Sequence, residues 1–579
     1  MNARFFTLNW LSAIIPLTLA WWSSATAGEN PVRRPDYCGV WGIWGGEKVS
    51  VEGRPWFKGV VVTSNWRTVQ PEKDRFAWDD LDEKVRRVTD KGLYVMLMVY
   101  HGHTCPDWIY QEGVPRVLVK LEGESSRESR ALHPYYLDPH YKPLLSRLIR
   151  ETAQHIAAYP PEIRRRIIGV QCPTGKSGDP QPYQAEPVEE RYRIGVQSRE
   201  WVDWTLGMFQ VYRDAYQPFG PPFFLLFKGP NPDSNDWLLK NIPDSWRKPH
   251  AIAQGYQFNG ETRIMQDLYP QTSRYINGVV IRTRGELDNT ENRGRNWFNA
   301  APVWNVYWAG LWNLTYGIDI WNQLNGVLED ERHAPALAFV SKYAGYKDAA
   351  DSPGAWVALR DGLDCMDTNR FPEERFGAVG PTGTGRSSKN KDRYLRIAET
   401  FAARGAALDD PENLAVDGLN VRRNVKGLND VGAHIWTANY GMFLEQLDPD
   451  ATSQGYWRVG SKEERFGRFA RGFDSKNGKK AMYLRLDNRF FANPSQPQSV
   501  KVRVVYFDHG RGTWVLACSG KDGKATVLRV RCEDSGLWRE KTVEVKDVRF
   551  DRRLPKGADL ALEWIAGDDT LFHMVELQR

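Results

Sequence analysis

YINGVVIRTRGE, residues 275–286, is the stretch on which the reading of the fold turns. Its β-branched run lies between Asn277-Gly278 and Gly285, which fits a parallel strand covered on both faces, where polar and apolar residues no longer alternate. Parallel α/β proteins place their chemistry where such strands end. The run ends on Glu286, just behind Arg282 and Arg284, and nearby positive charge keeps a carboxylate ionised at neutral pH. That is the state a nucleophile or charge stabiliser needs. A surface glutamate at a strand end is the competing reading.

Outward from this stretch, strand-like runs alternate with helical segments. The runs are 37–44, 58–66, 93–100, 167–172, 223–227, 252–258, 278–282 and 317–321. Between the second and third, Leu81, Val85 and Val88 fall on one face at helical spacing, and helices are also expected near 142–159, 199–216, 304–314 and 331–343. Eight strands, each followed by a helix, predict an α/β fold of the (β/α)8 TIM-barrel type. A doubly wound sheet is disfavoured because no Gly-rich phosphate-binding turn follows the first strand. After residue 456 short strands and turns recur without a strong helix, which predicts an antiparallel β-sandwich. The expected division is a signal peptide at 1–27, a catalytic barrel at 28–345, a mixed connecting region at 346–455 and the sandwich at 456–579.

At the start of the chain, Arg4 precedes an apolar run and Ala25-Thr26-Ala27 offers a small-x-small cleavage site before Gly28. The expected location is therefore secreted or periplasmic, with an uncleaved anchor as the alternative. No later segment is apolar enough to span a bilayer, so no stable membrane insertion is expected once the leader is removed. Removal of Arg4 with the leader lowers the net charge from +6 to +5. So slight a basic excess, spread along the chain, argues against nucleic acid.

Six cysteines are too few for a disulfide scaffold; Cys518 and Cys532 either pair or serve as small apolar residues. Of 24 tryptophans, many stand beside polar residues, as in Trp66-Arg67, Asp107-Trp108, Trp297, Trp304 and Trp321-Asn322. A flat apolar face with a polar edge suits a sugar ring, and core packing is the competing use.

The strand ends supply the chemistry: Arg67 after the second, His101 and His103 after the third, Asp179 beyond the fourth, Glu261 after the sixth, Glu286 at the seventh and Asp319 within the eighth. Glycoside hydrolysis needs two carboxyl groups flanking the bond, about 5–5.5 Å apart for retention of configuration. Trp66-Arg67, then Gln70-Pro71-Glu72-Lys73-Asp74-Arg75-Phe76-Ala77-Trp78, then Pro106-Asp107-Trp108, and finally Arg284-Gly285-Glu286 carry a family resemblance. Over residues 37–345 the chain resembles the clan A (β/α)8 retaining glycoside hydrolases, and most closely the β-galactosidase-like branch and related marine galactan hydrolases of the agarase and carrageenase type. The resemblance implies that Glu286 is the nucleophile and that Arg67 orients it.

The departure is at the fourth strand, where the clan's acid/base glutamate follows an asparagine and this chain has Pro173-Thr174. A threonine cannot protonate a leaving group at neutral pH. Asp179 folds back to do so, or Glu261 or another rim carboxyl does, or the barrel binds without turnover. The expected substrate contacts are Arg67, Trp66, His101, His103, Trp108, Thr174, Lys176, Arg284, Asp319 and Trp321. His101 and His103 lack an evident third ligand, so neither a metal nor a cofactor is expected. Lys176, Lys228, Arg282 and Arg284 lean toward an anionic sugar. The expectation is a retaining hydrolase acting on a polysaccharide or oligosaccharide, a sulfated galactan among the candidates. Its rival is a non-catalytic carbohydrate-binding barrel; a lyase using a Tyr or His base is a third reading. The oligomeric state is not legible.

Overall fold

The computed structural model describes residues 34–120, 132–178, 180–247, 275–276, 279–280, 282–287, 302–361, 363–364, 367–379, 388–406, 431–432, 439–520 and 523–579. Eight strands form one sheet: β1 Gly39–Ile43, β2 Phe57–Asn65, β3 Tyr94–Tyr100, β4 Ile167–Gln171, β5 Phe224–Phe227, β6 Trp246–Arg247, β7 Arg284–Leu287 and β8 Ile320–Gln323. Their order is β7-β8-β1-β2-β3-β4-β5-β6, and every neighbouring pair is parallel. A sheet that runs in chain order and joins its last strand to its first has the cyclic order of the (β/α)8 barrel.

One strand is not where the sequence reading placed it, and another expected strand falls outside the described residues. The sixth parallel strand is Trp246–Arg247, while 252–258 lies outside the described residues. At the seventh, Tyr275–Ile276 and Val279–Val280 pair with each other antiparallel, and the strand that joins the barrel is Arg284–Leu287. The Asn-Gly dipeptide at 277–278 is the strongest short hairpin signal a sequence carries, and it outweighed the β-branched run around it. Glu286 consequently sits within its strand.

The barrel strands read as unbroken apolar runs because both faces are buried. Trp41, Val61, Met96, Met98, Phe224, Leu226, Trp246 and Ile320 pack together on the inner face. Val40, Val60, Val62, Leu97, Val170 and Trp321 face the helices. Helix α1, Asp79–Thr89, carries Asp79, Asp80 and Asp82 in its first turn and Arg86 and Arg87 in its last, matching the helix dipole, and buries Leu81, Val85 and Val88. Helices α2, Tyr141–Ala157, and α3, Arg199–Tyr216, cover the next strands; the Ser198 side chain caps α3 by accepting from the Trp201 N–H.

Helix α4, Pro302–Thr315, is buried on every side from Val303 to Thr315. A helix apolar all round must be covered all round. One side packs on the barrel, where a Cβ at Gly310 would meet Trp321 at 3.3 Å and Val340 of helix α5, Ala334–Tyr343, at 2.7 Å. From the other side the indole N–H groups of Trp304 and Trp308 donate to the carbonyls of Ser461 and Gly467, at 2.8 and 3.1 Å, and the Tyr307 hydroxyl lies 2.9 Å from His573 Nε2.

Those partners belong to a sandwich of two antiparallel sheets. One contains β9 Gly354–Ala358, β10 Tyr440–Met442, β12 Gln454–Val459, β13 Arg468–Gly472, β15 Gln498–Asp508, β18 Leu537–Val548 and β20 Leu571–Gln578. The other runs β11 Leu444–Leu447, β14 Ala481–Leu486, β19 Leu560–Ala566, β16 Thr513–Gly520 and β17 Gly523–Arg531. Strands β9 to β11, and the start of β12, come from chain before residue 456.

Glu576 of β20 is 2% exposed and ties the sandwich to α5 through Lys342 at 2.7 Å and the Tyr343 hydroxyl at 2.5 Å. Burial alone would raise its pKa; Arg503 and Lys342 outweigh that and hold it below the usual range. Cys38, Cys105, Cys172, Cys518 and Cys532 are all free and buried, so Cys518 and Cys532 are apolar packing residues and not a disulfide. Among the described residues no helix is long and apolar enough to cross a membrane.

Candidate active site at the barrel mouth

Three neighbouring strand ends meet at the C-terminal face. Arg67, exposed after β2, donates from Nη2 to the Cys105 carbonyl at 3.0 Å, joining the β2 end to the β3 loop. The β3 loop lies directly on the β4 loop: a Cβ at Gly102 would stand 2.6 Å from the Tyr136 hydroxyl and 2.9 Å from Lys176 Cα. Only glycine permits that approach. Arg67, His101, His103, Thr174 and Lys176 are thereby gathered in one region.

Within it their surroundings differ. His101 is 1% exposed, with Nε2 3.1 Å from the Pro173 carbonyl and Nδ1 2.9 Å from the Tyr141 hydroxyl. The carbonyl can only accept, so Nε2 carries the proton and Nδ1 accepts from Tyr141. Burial pushes the His101 pKa down to about 4, and with both ring nitrogens engaged it is a neutral strut between loops, not a sugar contact. His103 is half-buried with its ring edge-on to His133 at 5.8 Å. Thr174 is 2% exposed; Lys176 is half-buried, its backbone N–H bonded to the Gln181 carbonyl at 3.0 Å.

The two tryptophans after β2 and β3 are structural. Trp66 is fully buried with its indole N–H on Gln70 Oε1 at 2.8 Å. Half-buried Trp108 packs edge-on against it at 6.2 Å and donates to the Gln70 carbonyl. Trp78 stacks on His155 of α2 at 4.4 Å. The distinctive 66–78 stretch thus fastens α1 and α2 to the barrel.

Three other expected contacts leave the mouth. Trp321 is fully buried on the helix-facing side of β8, against Gly310 of α4, where no sugar reaches. Asp319 precedes β8 at the opposite, N-terminal end, fully buried between Arg282 and Lys347, each at 2.7 Å, and accepting the Thr283 N–H at 2.8 Å. It is the hub of a buried ion network. Arg284 opens β7, fully buried inside the barrel beside the Met96 sulfur at 3.7 Å.

Of the three catalytic candidates, the backbone of Glu286 is placed: it pairs in register with Asn322, one step beyond the Gly285–Trp321 pair. Asp179 and Glu261 lie outside the described residues. Asn322 was not anticipated. It is fully buried, and among the described residues neither its Oδ1 nor its Nδ2 has a hydrogen-bond partner. Gln171, ending β4 at 3% exposure, likewise leaves Oε1 unpartnered. A buried polar group left unmet costs about 1–3 kcal/mol, so each of these amides is a candidate to meet a polar group of a ligand. The sequence signal was an amide closing an apolar strand. Among the described residues no three His, Cys, Asp or Glu side chains are grouped as a metal site requires.

Fold and loop arrangement define a TIM-barrel protein with polar strand ends converging on one mouth. Residues 59–163, from within β2 to just past α2, match the profile of glycoside hydrolase family 42, described as beta-galactosidase. No curated protein sequence matches the chain. Among solved structures, the beta-galactosidase of the psychrophilic Marinomonas ef1 is 12% identical with a TM-score of 0.32, over 52% of this chain and 59% of its own. Xylanase 10B from Thermotoga maritima is 13% identical with a TM-score of 0.31, over 53% of this chain and 95% of its own. Xylanase B from Clostridium stercorarium F9 is 12% identical with a TM-score of 0.30, over 50% and 86%. The profile match makes residues 59–163 similar to that family, and the substrate is a separate question.

Proposed function

We propose that this chain is an exported glycoside hydrolase that cleaves a polysaccharide or oligosaccharide with retention of configuration, Glu286 being the nucleophile. The observation that carries the reading is the position of Glu286 on β7, in register with the fully buried Asn322 of β8. The family match over 59–163 supports the reaction class.

In this mechanism the Glu286 carboxylate attacks the anomeric carbon while an acid protonates the departing glycosidic oxygen. Water, activated by the same acid/base, then hydrolyses the glycosyl ester. Asp179 and Glu261 are the candidates for that second carboxyl, since Thr174 is buried and has no proton to give at neutral pH. Half-buried Lys176 favours a substrate with an anionic substituent such as sulfate. The leader sequence supports export.

The test incubates purified protein and Glu286→Gln with xylan, galactan, agarose and carrageenan while reducing ends are counted. Release by the parent, with a loss of roughly a thousandfold or more in the variant at unchanged melting temperature, is expected for a nucleophile that acts as a unit with its acid partner. Equal release by both overturns the role of Glu286. The buried Thr174 at the acid/base position favours a second reading, a barrel that holds glycan without cleaving it. Binding without release by either protein would establish that.

A further inference from the structure

Trp44, the residue immediately after β1, differs from the other tryptophans named above. It is 43% exposed, whereas Trp41, Trp66, Trp308 and Trp321 are completely buried. Its φ is +49°, in the left-handed region that side chains with a Cβ avoid. Such a conformation costs on the order of 1–3 kcal/mol and persists only where the surroundings impose it, which is most often at functional sites. Here the surroundings are identifiable. The indole N–H donates to the Tyr100 hydroxyl at 3.1 Å, and the Asn325 side chain, beyond β8, holds the next carbonyl, that of Gly45, at 3.2 Å.

Tyr100 ends β3, in register with Asn65, which ends β2. The indole therefore reaches from β1 past β2 to β3, on the same C-terminal face as Arg67 and the β3 loop. Burying this ring would have been the ordinary outcome for its size. The fold instead strains the backbone and uses the one polar atom of the indole to pin the ring, leaving flat apolar surface in water at the mouth.

We propose that Trp44 is the aromatic platform of a sugar-binding subsite at the barrel mouth, taking the C–H face of a pyranose ring, with Tyr100 as the residue that positions it. The proposal rests on the carbohydrate reading given above, but not on turnover. A pyranose offers an apolar face ringed by hydroxyls. The Tyr100 hydroxyl marks the polar edge of the indole, where those hydroxyls would lie. A ring already pinned loses little freedom when sugar arrives, so the contact is preorganised.

The test is native affinity electrophoresis in gels containing xylan, galactan, agarose or carrageenan, which reads binding without turnover. Parent, Glu286→Gln, Trp44→Phe, Trp44→Gly and Tyr100→Phe are compared, each with its melting curve. The parent and Glu286→Gln should be retarded by the same glycan. Trp44→Gly should lose about tenfold or more in affinity, the scale of one aromatic contact, while melting at or above the parent temperature because glycine relieves the positive φ. Trp44→Phe should keep part of the affinity, and Tyr100→Phe should weaken it with the platform intact. Retardation of Trp44→Gly equal to the parent overturns the platform. A parent that binds but releases no reducing ends overturns the hydrolase and leaves the platform standing. A parent retarded by none of the four overturns both.

Discussion

The two ends of the barrel are built on opposite terms. At the N-terminal end Asp319 has its carboxylate taken up by Arg282, Lys347 and the Thr283 N–H, and Lys347 donates as well to the Gly317 carbonyl at 2.6 Å. Charges taken out of water there are paired and hydrogen-bonded. At the other end Asn322 and Gln171 keep buried amide atoms that no described residue matches, and Trp44 holds a strained backbone with its ring in solvent. A chain selected for stability alone would have treated both ends like the first. Barrels carry stability at the N-terminal face and chemistry at the C-terminal face, and the paired charges around Asp319 fit the first role.

Breaking the satisfied end should have the largest effect. Asp319→Ala leaves the buried Lys347 and the half-buried Arg282 without their partner, so a loss of about 3–5 kcal/mol is expected, read as a lower denaturation midpoint. Acidification is next. The unfolded chain takes up a proton at His101 near its ordinary pKa of 6.5, whereas the folded chain does so near 4, so stability present above pH 6.5 falls as pH drops through that window. The fall attributable to His101 is about 3 kcal/mol at most. His333 and His573, pushed by burial to about 4 and about 3, act in the same direction, so His101→Gln should flatten the pH dependence of the melting temperature only in part.

The smallest effect has the opposite sign and sharpens the contrast most. Asn322→Leu replaces two polar atoms that no described residue matches with an apolar group of similar size, and should raise stability by about 1–2 kcal/mol while lowering glycan turnover. A melting temperature below that of the parent would mean that the mouth is as well satisfied as the base.

Much of the architecture was legible in the sequence, because eight apolar runs separated by amphipathic helices leave few alternatives. The seventh strand was misplaced by a few residues, since the β-branched run suggested a strand and the hairpin signal inside it received too little weight. The tryptophans were harder. In a strand buried on both faces, sequence does not reveal whether a side chain meets the helices or the lumen, so Trp321 looked equivalent to a sugar platform. Trp44 was absorbed into the first strand, although Gly45-Gly46 behind it already indicated a turn. Asp319 was assigned to the mouth because the eighth strand was expected at 317–321; β8 begins one residue after Asp319, which leaves the carboxylate at the base.

Helix α4 has a consequence for how the protein can be divided. Its Trp304 and Trp308 are capped on one flank by carbonyls of residues 461 and 467, so cutting the chain after the last barrel helix would strip that flank and bare Trp304, Tyr307 and Trp308 to water. The C-terminal half is thus no interchangeable module to be swapped or dropped. A shortened gene product would be expected to clump in the cell, and any attempt to graft this barrel elsewhere must carry its second half along.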